Sequence, residues 1–63
     1  MTAAAVLRGK LKRLQGHMRR VAFDMDRLAA EPDSELAAHA QELRGAAEII
    51  DTWRARVGNE VQT

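Results

Sequence analysis

Cysteine is absent from this sequence of 63 residues. Its absence excludes disulfide bonds and thiolate metal sites, which are two of the usual supports of a very small domain. A chain of this length forms at most one domain, and such a domain buries a low fraction of its surface when it folds alone. We therefore expect the chain to gain stability as a homodimer, with a tetramer as the alternative, and we expect a cytoplasmic location.

Aromatic side chains and long apolar runs are also scarce. The sequence holds one Trp, one Phe and no Tyr. No apolar run approaches the roughly 20 residues that a membrane span needs. The apolar stretch at the N-terminus is short and its charges follow it, which does not match a signal peptide. We expect no membrane partner.

The residue types that catalysis uses are few. There is one serine, Ser34, and the two histidines, His17 and His39, fall in different halves of the chain. The sequence contains no glycine-rich phosphate loop and no pairing of a nucleophile with a base. We predict that the protein is not an enzyme and that it uses no cofactor and no metal ion.

Proline occurs once, at Pro32, between two segments with helical periodicity. In both segments apolar residues recur at alternating steps of three and four, which is the heptad pattern of packed helices. Acidic residues around Pro32 suit the start of a second helix, and Gly58-Asn59 suits its C-cap. We predict one domain over residues 1–63, with helix 1 at about 3–29, a turn at 30–33, helix 2 at about 33–57 and a short tail at 58–63.

The two heptad seams predict an all-α fold, an antiparallel two-helix hairpin that dimerises into a four-helix bundle. Because the connection is short, the helices must be antiparallel neighbours. With Leu11 and Leu36 taken as heptad position a, alanines fill position e beside both seams, so the apolar face is wide enough for a second hairpin to cover. These alanines are Ala22, Ala29, Ala40 and Ala47. The predicted core and dimer residues are Leu7, Leu11, Leu14, Met18, Val21, Met25, Leu28, Leu36, His39, Leu43, Ile50, Trp53 and Val57.

Two of these seam residues have further interpretations. His39 occupies a d position, and we interpret it as a hydrogen-bonded core or interface histidine, of the kind that can form a polar layer and fix the register. A metal ligand or a pH switch is the alternative for this residue. Trp53 is expected to fill the core near Leu7 and Leu11.

Positive charge is concentrated in the first half of the chain. Residues 1–30 hold seven Lys or Arg against two Asp, a net charge of +5, whereas residues 31–63 hold three Arg against seven acids, a net charge of −4. Five of the cations fall at heptad positions b and c, on the outer side of helix 1. They are Lys12, Arg13, Arg19, Arg20 and Arg27.

Glycine lies beside these cations, at a place where a helix gains nothing from it. Gly9, Gly16 and Phe23 are seven residues apart at the outer position f. A glycine inside a helix costs about 1 kcal/mol relative to alanine. Bare backbone there would let another molecule approach closely. This face is therefore a nucleic-acid surface, a protein-binding surface, or an ordinary solvated face in which Arg27 pairs with a nearby aspartate.

The residues of "LKRLQGHMRRV" resemble the first helix of the copper-sensing repressor (CsoR-type) family of all-α DNA-binding regulators. The family pattern Leu-x-Arg-Leu/Ile-x-Gly-x-x-Arg is matched by Leu11, Arg13, Leu14, Gly16 and Arg19. Its second helix resembles "LRGAAEII", which contains Arg44, so that the resemblance covers about residues 7–50. It implies that Arg13 and Arg44 belong to a DNA-contacting surface. The metal-binding Cys and the later His/Cys pair of the family are missing here, so metal sensing is not implied.

The chain also resembles the Rop family of small plasmid proteins that bind RNA. The similarity lies in the chain length, the acidic turn, the ending "RARVGNE" and the outward aromatic residue Phe23. It implies a hairpin that dimerises into a four-helix bundle and binds RNA loop pairs through its first helices.

We predict a small, non-enzymatic regulatory protein that binds DNA or RNA as a homodimer through the outer face of helix 1. One alternative is a protein-binding module, such as a phage or plasmid inhibitor that docks on a host regulatory protein through the same face. A purely structural assembly subunit is the other. The predicted binding residues are Lys12, Arg13, Gly16, Arg19, Arg20, Phe23, Arg27 and Arg44.

Overall fold

The computed structural model describes residues 2–61, except for the side chains of residues 58–61. It contains two α-helices, α1 at Ala3–Leu28 and α2 at Glu35–Val61, and there is no strand among residues 2–61. Side chains of α1 contact α2 across the hairpin. The predicted all-α helical hairpin is confirmed.

Both helices begin with a hydroxyl cap. The Oγ1 atom of Thr2 accepts a hydrogen bond of 3.1 Å from the backbone N–H of Ala5. The Oγ atom of Ser34 accepts one of 3.2 Å from the N–H of Ala37. Because Ser34 satisfies a donor of the first turn, α2 begins at Glu35, two residues later than predicted, and Pro32 lies in the turn.

The C-terminal boundary of α2 also differs from the prediction. The helix continues through Gly58 and Asn59 to Val61, four residues beyond the predicted end. A glycine cap needs a left-handed backbone, whereas the backbone stays helical at Gly58. Residues 62 and 63 of the predicted tail lie outside the described residues.

Small side chains form the contact between the helices. Ala22, Ala40 and Ala47 have no exposed surface, and Ile50 is buried beside them. The helices therefore meet at heptad positions a and e rather than at the predicted a and d. Alanines at e allow close approach, and this turns the d side chains toward the edge of the contact.

The predicted core residues accordingly divide into three groups in the single chain. Ile50 is buried. Half-buried side chains occur mostly at position a: Leu11, Met18, Val21, Met25, Leu36, Leu43 and Val57. Exposed side chains all occur at position d: Leu7, Leu14, Leu28, His39 and Trp53. The prediction that His39 and Trp53 lie in a core is wrong for one hairpin, because the a/e contact leaves their side of α2 uncovered.

Gln15 is the one polar residue that is buried among the described side chains, at 2% exposure. Its Nε2 donates to the backbone oxygen of Ala47 and to Oδ1 of Asp51, both at 2.7 Å. Its Oε1 accepts from Nη1 of Arg54 at 3.0 Å. Every polar atom of this amide that faces α2 is therefore paired, and the pairing fixes how α1 lies along α2.

The dimensions of the hairpin are those of a thin slab. Its Cα atoms extend over 48 × 17 × 9 Å. Neither helix, over the described residues, holds a segment long and apolar enough to cross a membrane.

We expect Gln15→Ala to lower the free energy of unfolding by about 1–3 kcal/mol, because it removes three hydrogen bonds and leaves buried polar groups without partners. Urea unfolding, followed by circular dichroism at a fixed protein concentration, measures this. Gln41→Ala is the matched control, since Gln41 is exposed on α2. Equal effects of the two substitutions would contradict the role given to the amide.

Candidate functional site

The outer face of α1 carries a repeated pairing of residues four apart. The Nη1 atom of Arg13 lies 3.7 Å from the position that a Cβ atom on Gly9 would occupy, and that of Arg20 lies 3.4 Å from the same position on Gly16. In the third pair, the Cζ atom of Arg27 lies 5.9 Å from the ring centroid of Phe23. We call Arg13, Arg20 and Arg27 the arginine row. Its members repeat every seven residues, or about 10.5 Å along the helix.

The charge of this row is not neutralised within the described part of the chain. No carboxylate oxygen of the described residues lies within 4.0 Å of a nitrogen of Lys12, Arg13, Arg20 or Arg27. All four side chains are exposed. They form one positive surface that faces solvent, which attracts polyanions over the length of a Debye screening distance.

Two of the predicted binding residues, Arg19 and Arg44, lie away from the arginine row. Arg44 forms an ion pair with Asp26 across the hairpin, and it is half-buried. Arg19 lies 4.0 Å from the Oδ2 atom of Asp51 on α2. Both side chains therefore contribute to the contact between the helices, on the opposite side of the hairpin from the exposed d side chains. They are not part of the arginine row.

Gly16 has no role in packing within the chain. Its φ is not positive, and a methyl group added at this position would have the flexible end of Arg20 as its nearest neighbour. The bare surface is occupied instead by the guanidinium group of Arg20, which lies along the helix. The predicted close approach of another molecule at Gly16 stays a prediction, and it requires Arg20 to move or to share the contact.

Phe23 is 58% exposed in the middle of this charged surface. Arg27 partly covers its ring, in a cation–π contact that holds the guanidinium group on the outside of the helix. The arrangement offers an apolar plane and a positive charge side by side. Such a pair can bind an aromatic base next to a phosphate, or an apolar side chain next to a carboxylate.

The histidines and carboxylates of the described residues are dispersed over the two helices. Among the described residues, no three of the types His, Asp and Glu lie close enough together to hold a metal ion. The Nδ1 atom of His39 lies 3.8 Å from Oε1 of Glu42 on the same helix, and His17 is exposed on α1. The two histidines are on different helices and form no common site.

Comparison with known proteins returned no match to a protein-family model, to a curated protein or to a solved structure. The resemblances drawn from short motifs therefore stay predictions. What the fold defines is a class, the all-α helical hairpin.

Sequence reasoning missed two features of the surface. It placed no structural role on Gln15, although this residue shares position e with the buried alanines. It also treated Gly9, Gly16 and Phe23 as one stripe and the arginines as another, whereas each arginine lies over the stripe residue four positions before it. The spacing of four residues was the available signal.

We expect Gly16→Ala to raise the free energy of unfolding by about 0.5–1 kcal/mol, because the methyl group meets only ordinary contact with Arg20 and the unfolded chain loses freedom. Urea unfolding measures the change. Gly45→Ala is the matched control, since a Cβ atom there would have no neighbour within 4 Å. A loss of stability at Gly16 with a gain at Gly45 would mean that the Arg20 contact is tighter than described.

Proposed function

We propose that this protein is a small, non-enzymatic regulator that binds nucleic acid as a homodimer, in the cytoplasm, through the arginine row of α1. The observation that carries the proposal is the set of three guanidinium groups, each supported by the residue four positions before it and none paired with a carboxylate of the described residues. Phosphate groups are the natural ligands of such groups, because a guanidinium fork matches two phosphate oxygens.

The spacing of the row supports a backbone ligand rather than a single anion. The two outer members, Arg13 and Arg27, are about 21 Å apart along α1, which exceeds the size of one phosphate. A chain of phosphates can contact all three side chains at once. Binding of this kind is electrostatic, insensitive to sequence and weakened by salt. It does not by itself distinguish DNA from RNA.

The exposed apolar side chains support the homodimer. Leu28 is 79% exposed and Trp53 is 49% exposed in the single chain. Large apolar side chains clustered on one face of a small protein are typical of an interface. A second hairpin on this face would leave the outer face of α1 open to a ligand.

The double substitution Arg13→Gln and Arg20→Gln should weaken binding at least about tenfold and lower the salt dependence by about one phosphate contact per arginine removed. Fluorescence anisotropy measures this with labelled duplex DNA, single-stranded DNA and RNA at several salt concentrations. Gln41→Glu with Thr52→Glu is the control, because it changes the net charge equally at exposed positions on α2.

Three results would decide against the proposal. The wild-type protein could fail to bind any of the three nucleic acids at low salt. The control pair could weaken binding as much as the arginine pair, which would assign the effect to net charge. Arg13→Lys with Arg20→Lys separates charge from shape, and we expect it to keep most of the affinity, so a loss as large as that of the Gln pair would also contradict the proposal.

The second candidate function is binding to an acidic protein, and exposed Phe23 favours it. An aromatic anchor beside arginine is a common centre of a protein interface. Phe23→Asp separates the two candidates. It should abolish a protein complex, and it should lower nucleic-acid affinity only a few-fold, since phosphate contacts dominate that binding. Affinity capture from nuclease-treated host extract, beside anisotropy with nucleic acid, measures both.

A further inference from the structure

We propose that two copies of this chain pack through their exposed apolar faces, with a two-fold axis perpendicular to the helices near His17 and Ile49. The apolar face consists of the large exposed apolar side chains at heptad positions d and g. They are Leu7, Leu14, Leu28, Ile49 and Trp53. The inference rests on the homodimer of the proposed function, and it assigns how the two copies are oriented.

The Gln15 contacts set the levels of the residues along the hairpin. Gln15 bonds to both Ala47 and Asp51, so it lies alongside the turn of α2 between them. His17 on α1 and Ile49 on α2 are therefore within about half a helical turn, roughly 3 Å, of the same level. Both occupy heptad position g, next to the d positions that supply most of the apolar face, and both are exposed.

Two charges of opposite sign lie at equal distances from His17 along α1. Lys10 lies seven residues before it and Asp24 lies seven residues after it, and both are exposed at position g. A two-fold axis at this level reverses the direction of α1 in the second copy. It brings Lys10 of each copy beside Asp24 of the other, which makes two attractive pairs.

The charges on α2 give the same axis independently. Glu42 lies seven residues before Ile49 and Arg56 lies seven residues after it, again at exposed g positions. The reversed second copy brings Glu42 of each chain beside Arg56 of the other. Glu42 lies 3.8 Å from His39 on its own helix, and its side chain is still 76% exposed. The charged residues of α1 and those of α2 thus indicate a two-fold axis at the same level of the hairpin.

The alternative four-helix arrangement is unfavourable for the same side chains. A two-fold axis parallel to the helices packs α1 of one copy against α2 of the other at equal levels. Lys10 then lies beside Arg56, and Asp24 lies beside Glu42. Each contact joins like charges, which destabilises a helix pair by about as much as opposite charges stabilise it.

The size and shape of the face also suit a second copy. The broad side of the slab measures 48 × 17 Å between Cα limits, so a second hairpin of the same length can lie along all of it. Trp53 lies four residues after Ile49, and Ala46 lies three residues before it. An axis at Ile49 therefore brings Trp53 of one copy over Ala46 of the other. A large side chain then meets a small one.

This orientation joins the two ligand surfaces. The axis perpendicular to the helices makes the α1 helices of the two copies neighbours, about 8–10 Å apart. Their arginine rows then run antiparallel along one edge of the bundle and form a single basic surface. The parallel axis would place the two rows at opposite corners.

Charge exchange tests the orientation. We expect Lys10→Glu alone and Asp24→Lys alone each to raise the dimer dissociation constant about tenfold at low salt, and the double variant Lys10→Glu with Asp24→Lys to restore it. Sedimentation of the full chain without nucleic acid measures the constants. These substitutions leave the Ser34 cap of α2 and the contacts between the helices unchanged.

The outcomes separate this inference from the proposed function. Stronger dimerisation of Lys10→Glu would overturn the inferred axis, because under the parallel axis this residue faces Arg56. Failure of the double variant to recover would overturn it too. Both results leave nucleic-acid binding by the dimer standing. A wild-type chain that stays monomeric at all concentrations would overturn the axis together with the proposed homodimer.

Crosslinking gives a second measurement that does not depend on charge. Because the sequence has no cysteine, Ile49→Cys introduces a single thiol. We expect it to form a covalent dimer under mild oxidation, since two copies of residue 49 face each other across the axis. Thr52→Cys, on the outer edge of α2, should not. A covalent dimer that forms only when His17→Cys and Ile49→Cys are present in the same chain would support the parallel axis and refute the perpendicular one.

Discussion

The close contact between the two helices is the constraint on which the rest of this structure depends. Three alanines with no exposed surface allow it, and the amide of Gln15 determines its register. Alanine burial alone would let the helices slide, because small side chains interlock weakly. The hydrogen bonds from Gln15 to Ala47 and Asp51 hold one register, since any shift would leave buried polar groups unpaired. A polar residue therefore gives specificity to an interface that small apolar residues make possible.

The same contact determines which charges face outward. Arg19 and Arg44 lie on the side where α1 and α2 form ion pairs, so two of the predicted binding residues contribute to the contact between the helices. Asp51 and Asp26 lie beside those two, whereas no carboxylate of the described residues lies within 4.0 Å of the arginine row. The charges of the chain thus have two uses, attraction between the helices and a positive outer surface. The row is narrower and more regular than the full set of cations.

The heptad pattern was sufficient to predict two helices, their approximate bounds and their antiparallel hairpin. It could not predict the rotation of the helices about their axes, because alanine at position e is compatible with both an a/d and an a/e contact. For this reason the pattern did not predict that Trp53 and His39 lie outside the contact between α1 and α2 of one hairpin. The start of α2 depends on a single hydroxyl group, that of Ser34. The position of Arg20 over Gly16 depends on side-chain geometry, which the spacing of residues in the sequence does not determine.

The thickness of the slab, 9 Å between Cα limits, has a consequence for how the folded fraction depends on protein concentration. A single layer of two helices shields few side chains on all sides, so a second copy on the broad side would bury surface that one hairpin leaves exposed. Where folding is completed by a second copy, the folded fraction follows total protein concentration by mass action. For the proposed homodimer, the concentration of the chain then sets how much binding-competent protein is present.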